Sequence, residues 1–199
     1  NSAVSNYNVG IGYETMRGVL NGALDNVAVG KDSLKDLTTG DDNVAVGTGA
    51  AENLTTGKEN VAIGSGAYAT ANTSENYGVA VGFNAANLLD GIDNVTAVGH
   101  SALSTMVAVD GNTAVGFEAG KVTTGANNTY LGFKAGKGAS GAEGGNTGLG
   151  SRALESVTTG GSNVVVGNQA GDTITDGGEN VIVGDGAGQT TTSVAQAVI

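Results

Sequence analysis

The sequence contains no cysteine, no proline and no tryptophan, and its aromatic residues amount to only 4%. Without cysteine the chain has neither disulfides nor a thiol nucleophile, which is compatible with an extracellular and with a cytosolic location. His100 is the only histidine, and the acidic residues are scattered over predicted turns. Because an enzyme needs acid, base or nucleophilic groups that converge, we predict no catalytic site and no cofactor.

Positive charge is scarce as well. The 8 Lys and Arg are outnumbered by 19 Asp and Glu, which gives a formal net charge of −11. Such a surface repels phosphate groups and disfavours nucleic acid as a partner. No apolar run approaches the ~20 residues of a membrane span, and no cationic start precedes an apolar signal core, so we expect no membrane insertion by this segment. Asn1 is not an initiator methionine, which indicates a processed product or a fragment.

Glycine is the most abundant feature, with 36 residues in a chain of 199. A disordered linker is disfavoured because 39% of the residues are hydrophobic. The glycines do not recur at every third residue, which excludes collagen. Eleven of them end a short aliphatic run, at steps of 16 to 18 residues: Gly12, Gly30, Gly47, Gly64, Gly82, Gly99, Gly116, Gly132, Gly150, Gly167 and Gly184. The period predicts one repeat array over residues 1–188, followed by a tail or the start of a neck at 189–199.

Aligned on this glycine, the repeats form columns of similar residues. The position before the glycine is aliphatic in all eleven copies, and the position three before it is Val in seven copies and Thr in four. These two columns share one face of an extended chain, and we predict that this face is the interior. The column between them points the other way and is mostly small and apolar. We predict that it is covered by another subunit, through Ala28, Ala45, Ala62, Ala80, Ala97 and Ala114.

Polar columns and turns complete the unit. Asn stands four before the glycine in nine copies, with Gly78 and Val95 as the exceptions, and predicts a ladder of stacked amides. Val, Thr, Gly and Asn are poor helix formers. The repeat therefore predicts an all-β solenoid of about eleven coils of ~17 residues, with strands of ~5 residues stacked parallel and in register into a rod roughly 50 Å long.

The unit NVAVG or NVAIG, followed by two variable residues and Ala, resembles the head repeat of trimeric autotransporter adhesins and related repeat arrays of bacteriophage tail fibres. The resemblance covers about residues 8–188. It implies a left-handed parallel β-roll and a homotrimer that associates through small-residue faces. The sequence departs from the adhesin pattern in its longer TTG back turn and in having one fewer residue between Asn and Gly. The TTG variant is more similar to the tail-fibre arrays.

An aromatic column follows the glycine in four successive coils and gives the candidate binding residues Phe83, His100, Phe117 and Phe133. One interpretation is a packed stack that covers this corner or the subunit seam. The other is an aromatic strip that docks a sugar ring or a receptor surface. Acidic turns such as Asp41 with Asp42, and Asp90 with Asp93, are interpreted as solvated charge rather than a metal site, because the glycine/aspartate nonapeptide of calcium β-rolls is absent.

Together these features predict a structural and adhesive segment of an extracellular trimeric fibre, on a bacterial surface or a virion. Its partners would be two further copies of itself and a host glycan or protein receptor. An ice-binding or carbohydrate-binding solenoid is the alternative. Ice binding requires an unbroken Thr lattice, and the Thr pairs of the TTG turns at 38–39, 55–56, 123–124 and 158–159 are interrupted by coils that lack them. A polysaccharide-degrading β-helix would need clustered carboxylates on one strand face, which are not found.

Overall fold

The computed structural model describes residues 6–70, 74–88, 93–106, 110–138, 144–190, 192–193 and 195–199. These residues contain eleven β-strands and no helix. The strands are β1 (Val9–Ile11), β2 (Val27–Val29), β3 (Val44–Val46), β4 (Val61–Ile63), β5 (Val79–Val81), β6 (Thr96–Val98), β7 (Thr113–Val115), β8 (Thr129–Leu131), β9 (Thr147–Leu149), β10 (Val164–Val166) and β11 (Val181–Val183). They form one sheet in chain order.

All ten strand pairs are parallel and in register, so that each residue lies over its equivalent in the next coil. Val44, for example, pairs with Val61, and Ala45 with Ala62. The predicted all-β parallel solenoid with coils of about 17 residues is confirmed. The strands have three residues each rather than about five. They are short because the backbone turns into positive φ on both sides, at Asp42 (φ 57) before β3 and at Gly47 (φ 134) after it.

The prediction of which side chains form the interior is wrong. Ala45 is 0% exposed within the single chain, whereas its neighbour Val46 is 36% exposed. The same holds along the column, so the alanines predicted to contact another subunit are buried inside their own chain: Ala28, Ala45, Ala62, Ala80, Ala97 and Ala114. A strand of three residues directs only its middle side chain inward, and the two aliphatic columns therefore point outward.

The second wall of each coil explains why the inward column is small. Three residues after the glycine, Ala50, Ala102 and most of their equivalents are buried, while Thr15 and Ala187 in the first and last coils are half-buried. The larger apolar residues seven after the glycine are buried too, at Leu37, Leu54, Met106, Val157 and Ile174, while Leu89 lies outside the described residues. The space between the two walls is thus filled from the second wall, and the strand contributes alanine.

The coil that contains β8 shows the same limit on interior volume, here with a large side chain on the strand. Here the inward residue is Tyr130, fully buried, and two nearby positions are glycine. A Cβ at Gly136 would lie 2.3 Å from Tyr130 Cδ1, and a Cβ at Gly148 would lie 3.1 Å from the same atom. The ring therefore occupies the volume that side chains at those two positions would take.

The predicted asparagine ladder is confirmed and is buried. Asn43 Nδ2 donates to Asn26 Oδ1 (3.0 Å) and to the carbonyl of Gly57 (2.8 Å). In the next coil, the backbone N–H and the Nδ2 of Asn60 donate to Asn43 Oδ1 (3.1 and 3.0 Å). Asn43 thus ties its own coil to both neighbours and satisfies a buried turn carbonyl.

The ladder is interrupted at Gly78, where the side chain of Tyr68 fills the space that an asparagine side chain would take. The hydroxyl of Tyr68 lies 2.0 Å from where a Cβ at Gly78 would stand, so only glycine fits there. Tyr68 is fully buried. Burial raises the pKa of its hydroxyl far above the usual range, and the Glu75 carboxylate raises this pKa further. The phenol is therefore neutral in the folded chain.

The described C-terminal residues continue the stacking. Val198 forms a parallel bridge with Val181, and the N–H of Val183 donates to the carbonyl of Ile199 (2.9 Å). Ala197 takes the position of the ladder asparagine, and its N–H donates to Asn180 Oδ1 (3.0 Å). These residues follow the path of the solenoid.

Candidate functional site

An extended, partly exposed apolar surface is formed by the outward side of the sheet, which we call the outer face. It consists of the first and third residue of every strand, in total eighteen aliphatic side chains and four threonines. Ile63 and Leu131, at 40% and 45% exposure, are among its exposed members, and about half of its side chains are half-buried. With eleven strands about 4.8 Å apart, the face is about 50 Å long. Soluble monomers rarely expose contiguous apolar patches of more than a few hundred Å².

The four candidate aromatic residues lie together along one corner, as the column predicted. The ring centroids of Phe83 and His100 are 5.1 Å apart, those of His100 and Phe117 5.1 Å, and those of Phe117 and Phe133 5.4 Å. The interplanar angles are 30°, 24° and 13°, so the rings are stacked. All four side chains are exposed to solvent. Their position one residue after the glycine places them beside the outer face.

The orientation of the rings bears on what the stack can bind. The faces of the inner rings are turned toward one another at a separation that admits no further group. A sugar ring packs its C–H groups against the face of an aromatic ring. Within the stack only the ring edges remain accessible, and a free face exists only at the ends. This geometry supports the packing interpretation for His100 and Phe117.

The threonines of the TTG turns do not form a free lattice. Thr38 Oγ1 donates to the carbonyl of Thr55 in the next coil (3.0 Å), and Thr158 Oγ1 donates to that of Thr175 (2.8 Å). Thr123 is buried and donates to the carbonyl of Gly120 (2.7 Å). These hydroxyls hold coils and turns together. A regular row of threonines lies instead on β6 to β9, where Thr129 is exposed and the other three are half-buried: Thr96, Thr113, Thr129 and Thr147.

The acidic turns take part in coil-to-coil contacts. Asp41 accepts a hydrogen bond from Lys58 Nζ (2.7 Å), which raises the pKa of the lysine. Asp93 accepts from the N–H of Asn76 (2.7 Å). Asp90 lies outside the described residues. Within the part of the chain that the structure describes, no group of three or more His, Asp or Glu could hold a metal ion.

Sequence reasoning missed a cluster of charged side chains at residues 118–155, next to the end of the aromatic stack. Glu118 accepts hydrogen bonds from Lys121 Nζ (2.7 Å) and Lys137 Nζ (3.1 Å), and these two ammonium groups lower the pKa of its carboxyl. Lys134 Nζ lies 5.0 Å from the centroid of the Phe133 ring. Half of the cations of the chain occur in this segment, which was visible in the sequence.

Comparison with protein-family models, with curated proteins and with solved structures gives no match to this chain. Among the described residues there is no helix of the length and apolar character that a membrane crossing requires. The fold and its surfaces are therefore the basis of the functional argument.

Proposed function

We propose that this chain is a structural and adhesive segment of an extracellular trimeric fibre, which spaces or presents a surface-contact site and has no catalytic activity. The observation that carries the proposal is the outer face, which is mainly apolar along the eleven strands and at least partly exposed in the single chain. A face of this length needs a cover of the same length and repeat. Another copy of the same solenoid has both. The three-fold symmetry and the left-handed winding are taken from the resemblance to adhesin and tail-fibre repeats.

The subunit contact in this proposal differs from the one expected from the sequence. The alanine column is inside the coil, so the valines, isoleucines and leucines of the outer face take over its role. The aromatic stack lies beside this face and would border the seam between subunits. The acidic side chains are on the corners and turns, where they keep assembled rods apart by charge repulsion.

Charge substitutions on the outer face test the proposal. We expect the unaltered chain to sediment as three associated copies, and Leu131→Lys with Leu149→Lys to dissociate them. Loss of two buried leucines from each of three copies, at about 2 kcal/mol each, removes about 12 kcal/mol from the trimer and raises the concentration for assembly by more than about 1000-fold before the buried charges are counted. The measurement is sedimentation combined with light scattering. Circular dichroism verifies that the variant keeps its β structure, since both side chains point outward.

Ser156→Lys is the matched control, because Ser156 is exposed and follows β9 on the opposite part of the same coil. It should leave the oligomer intact. A monomeric unaltered chain at micromolar concentration would refute the trimer.

A second candidate function, ice binding, is favoured by the threonine row of β6 to β9. These four threonines are stacked in register on the outward side of the parallel sheet, beside aliphatic side chains. The same sedimentation experiment separates the two functions, since a face buried between subunits cannot contact ice. Thermal hysteresis in a monomeric chain would favour this second function over the fibre.

A further inference from the structure

The charge of the chain is unevenly distributed along the rod. Residues 118–155 hold four of the eight Lys and Arg but only three of the nineteen Asp and Glu. The remainder of the chain therefore has four cations against sixteen acids. At physiological ionic strength the screening length is about 8 Å, which is less than two coil spacings. A ligand at these coils therefore experiences the local charge and not the net charge of the whole molecule.

We call the charged residues of this segment the Lys134 patch: Glu118, Lys121, Lys134, Lys137, Arg152 and Glu155. They occupy two neighbouring columns in three successive coils and carry four positive and two negative charges. Glu118 is shared by Lys121 and Lys137, and Arg152 Nε lies 3.1 Å from Glu155 Oε2. The two carboxylates are thus already occupied by three of the cations.

Lys134 differs from every other cation of the chain. The other seven Lys and Arg each have a carboxylate oxygen within 4.0 Å. Among the described residues, no carboxylate is within that distance of Lys134, whose ammonium group lies over the ring of Phe133 instead. The main chain at this position is fixed to the preceding coil, since the N–H of Lys134 donates to the carbonyl of Phe117 (2.9 Å). In the next coil Arg152 occupies the equivalent position, one coil spacing of about 5 Å away.

At the end of the aromatic stack, only the Lys134 ammonium group, among the rings and cations that the structure describes, lies over the side of the Phe133 ring turned away from Phe117. One side of the Phe133 ring is stacked on Phe117. In the next coil the aromatic column continues with Ser151, a small hydroxyl side chain, where a further ring would stand. The stack thus ends in an aromatic ring bordered by an ammonium group, a guanidinium group and a hydroxyl.

We propose that the Lys134 patch binds a carboxylated sugar residue of a surface glycan. The Lys134 side chain would turn from the Phe133 ring to the carboxylate, which Arg152 would also receive. The ring face that it leaves would pack against the pyranose C–H groups, and the Ser151 hydroxyl would bond to a sugar hydroxyl. The patch spans three coils, about 10 Å, and its acidic surroundings disfavour an extended polyanion such as nucleic acid. The proposal names the receptor class for the adhesive function proposed above and rests on it.

Calorimetric titration of the full chain with a trimer of α-1,4-linked galacturonate tests this site. The matched probe is the methyl ester of the same trimer, which keeps the rings and removes the charge. We expect binding of the acid and at least about tenfold weaker binding of the ester. Lys134→Gln should weaken binding of the acid at least about tenfold, because it removes a charge-assisted hydrogen bond. Lys58→Gln changes the net charge equally at a distant corner and should alter binding less than about twofold.

Three results would overturn the proposal: no binding of the acid at millimolar concentration, equal binding of acid and ester, or equal effects of Lys134→Gln and Lys58→Gln. A single-stranded oligonucleotide that binds as tightly as the galacturonate trimer would also overturn it, since the patch would then select charge alone. Failure here is distinct from failure of the fibre proposal. The oligomer is measured by sedimentation without any glycan, and Lys134 is not part of the outer face.

Discussion

Replacing Gly116 by alanine is expected to lower the free energy of unfolding by more than about 4 kcal/mol. Gly116 has φ +140, and a Cβ there would lie 2.3 Å from the carbonyl oxygen and 2.7 Å from the carbonyl carbon of Gly132 in the next coil. Both atoms belong to the backbone, so no side chain can move aside. The two coils would have to separate, which weakens the bond from the N–H of Gly132 to the carbonyl of Val115 (2.9 Å). Denaturant unfolding followed by circular dichroism measures the loss.

Gly184 is the matched control for this substitution. Its φ of +139 is nearly the same, but the nearest atom to its Cβ position is Ala187 Cβ, at 3.5 Å. Gly184→Ala should therefore cost only the backbone strain, about 1 to 3 kcal/mol. Equal losses in the two variants would show that strain alone, and not the close stacking of coils, requires the glycine column.

Replacing Asn43 by alanine is expected to destabilise the fold by about 3 to 5 kcal/mol. The substitution removes the acceptor for the N–H and the Nδ2 of Asn60 and the donor to the carbonyl of Gly57. All of these groups are buried. An unsatisfied buried group costs about 1 to 3 kcal/mol, and at least two would be left. Thermal and denaturant unfolding of the purified variant provide the measurement.

Asn168→Ala is the matched control, because it removes an asparagine that bonds to the next coil but is not part of the buried ladder. The Asn168 side chain also bonds to the next coil, through Nδ2 to Asp185 Oδ1 (2.9 Å), but this bond is exposed to solvent. Water replaces it, so we expect a loss of less than about 0.5 kcal/mol. If Asn43→Ala were as mild as Asn168→Ala, the buried ladder would not contribute to stability as described.

The repeat period made the architecture predictable, because a step of 16 to 18 residues with stacked columns admits few folds. The direction of the columns was not predictable from hydrophobicity alone. Alternation gives two sets of side chains, and the more hydrophobic set, including Val46 and Ile63, is outside. One sequence feature does indicate the correct direction. Where Tyr130 replaces the inward alanine, glycine stands at Gly136 and Gly148, as expected for residues that share one limited interior volume.

Only part of the candidate site was predictable from the sequence. The aromatic stack follows from the column, since residues at equal positions of successive coils lie about 5 Å apart. The position of the Lys134 ammonium group over the Phe133 ring does not follow from the column pattern. Whether a cation has a carboxylate partner depends on how far long side chains reach between coils, as when Lys137 bonds to Glu118 of the preceding coil. Only the clustering of cations in residues 118–155 pointed toward this region.

Removal of a whole coil tests most directly that equivalent coils are stacked and that each is stabilised by its neighbours. Deletion of residues 44–60 joins Asn43 to Val61 and leaves every column in register, because Asn60 and Asn43 hold equivalent positions. We predict a folded chain with cooperative unfolding, shortened by about 4.8 Å. Deletion of residues 44–52 shifts the columns by half a coil and should prevent cooperative folding. If the two deletions had the same effect on unfolding, the stacked-coil architecture would be contradicted.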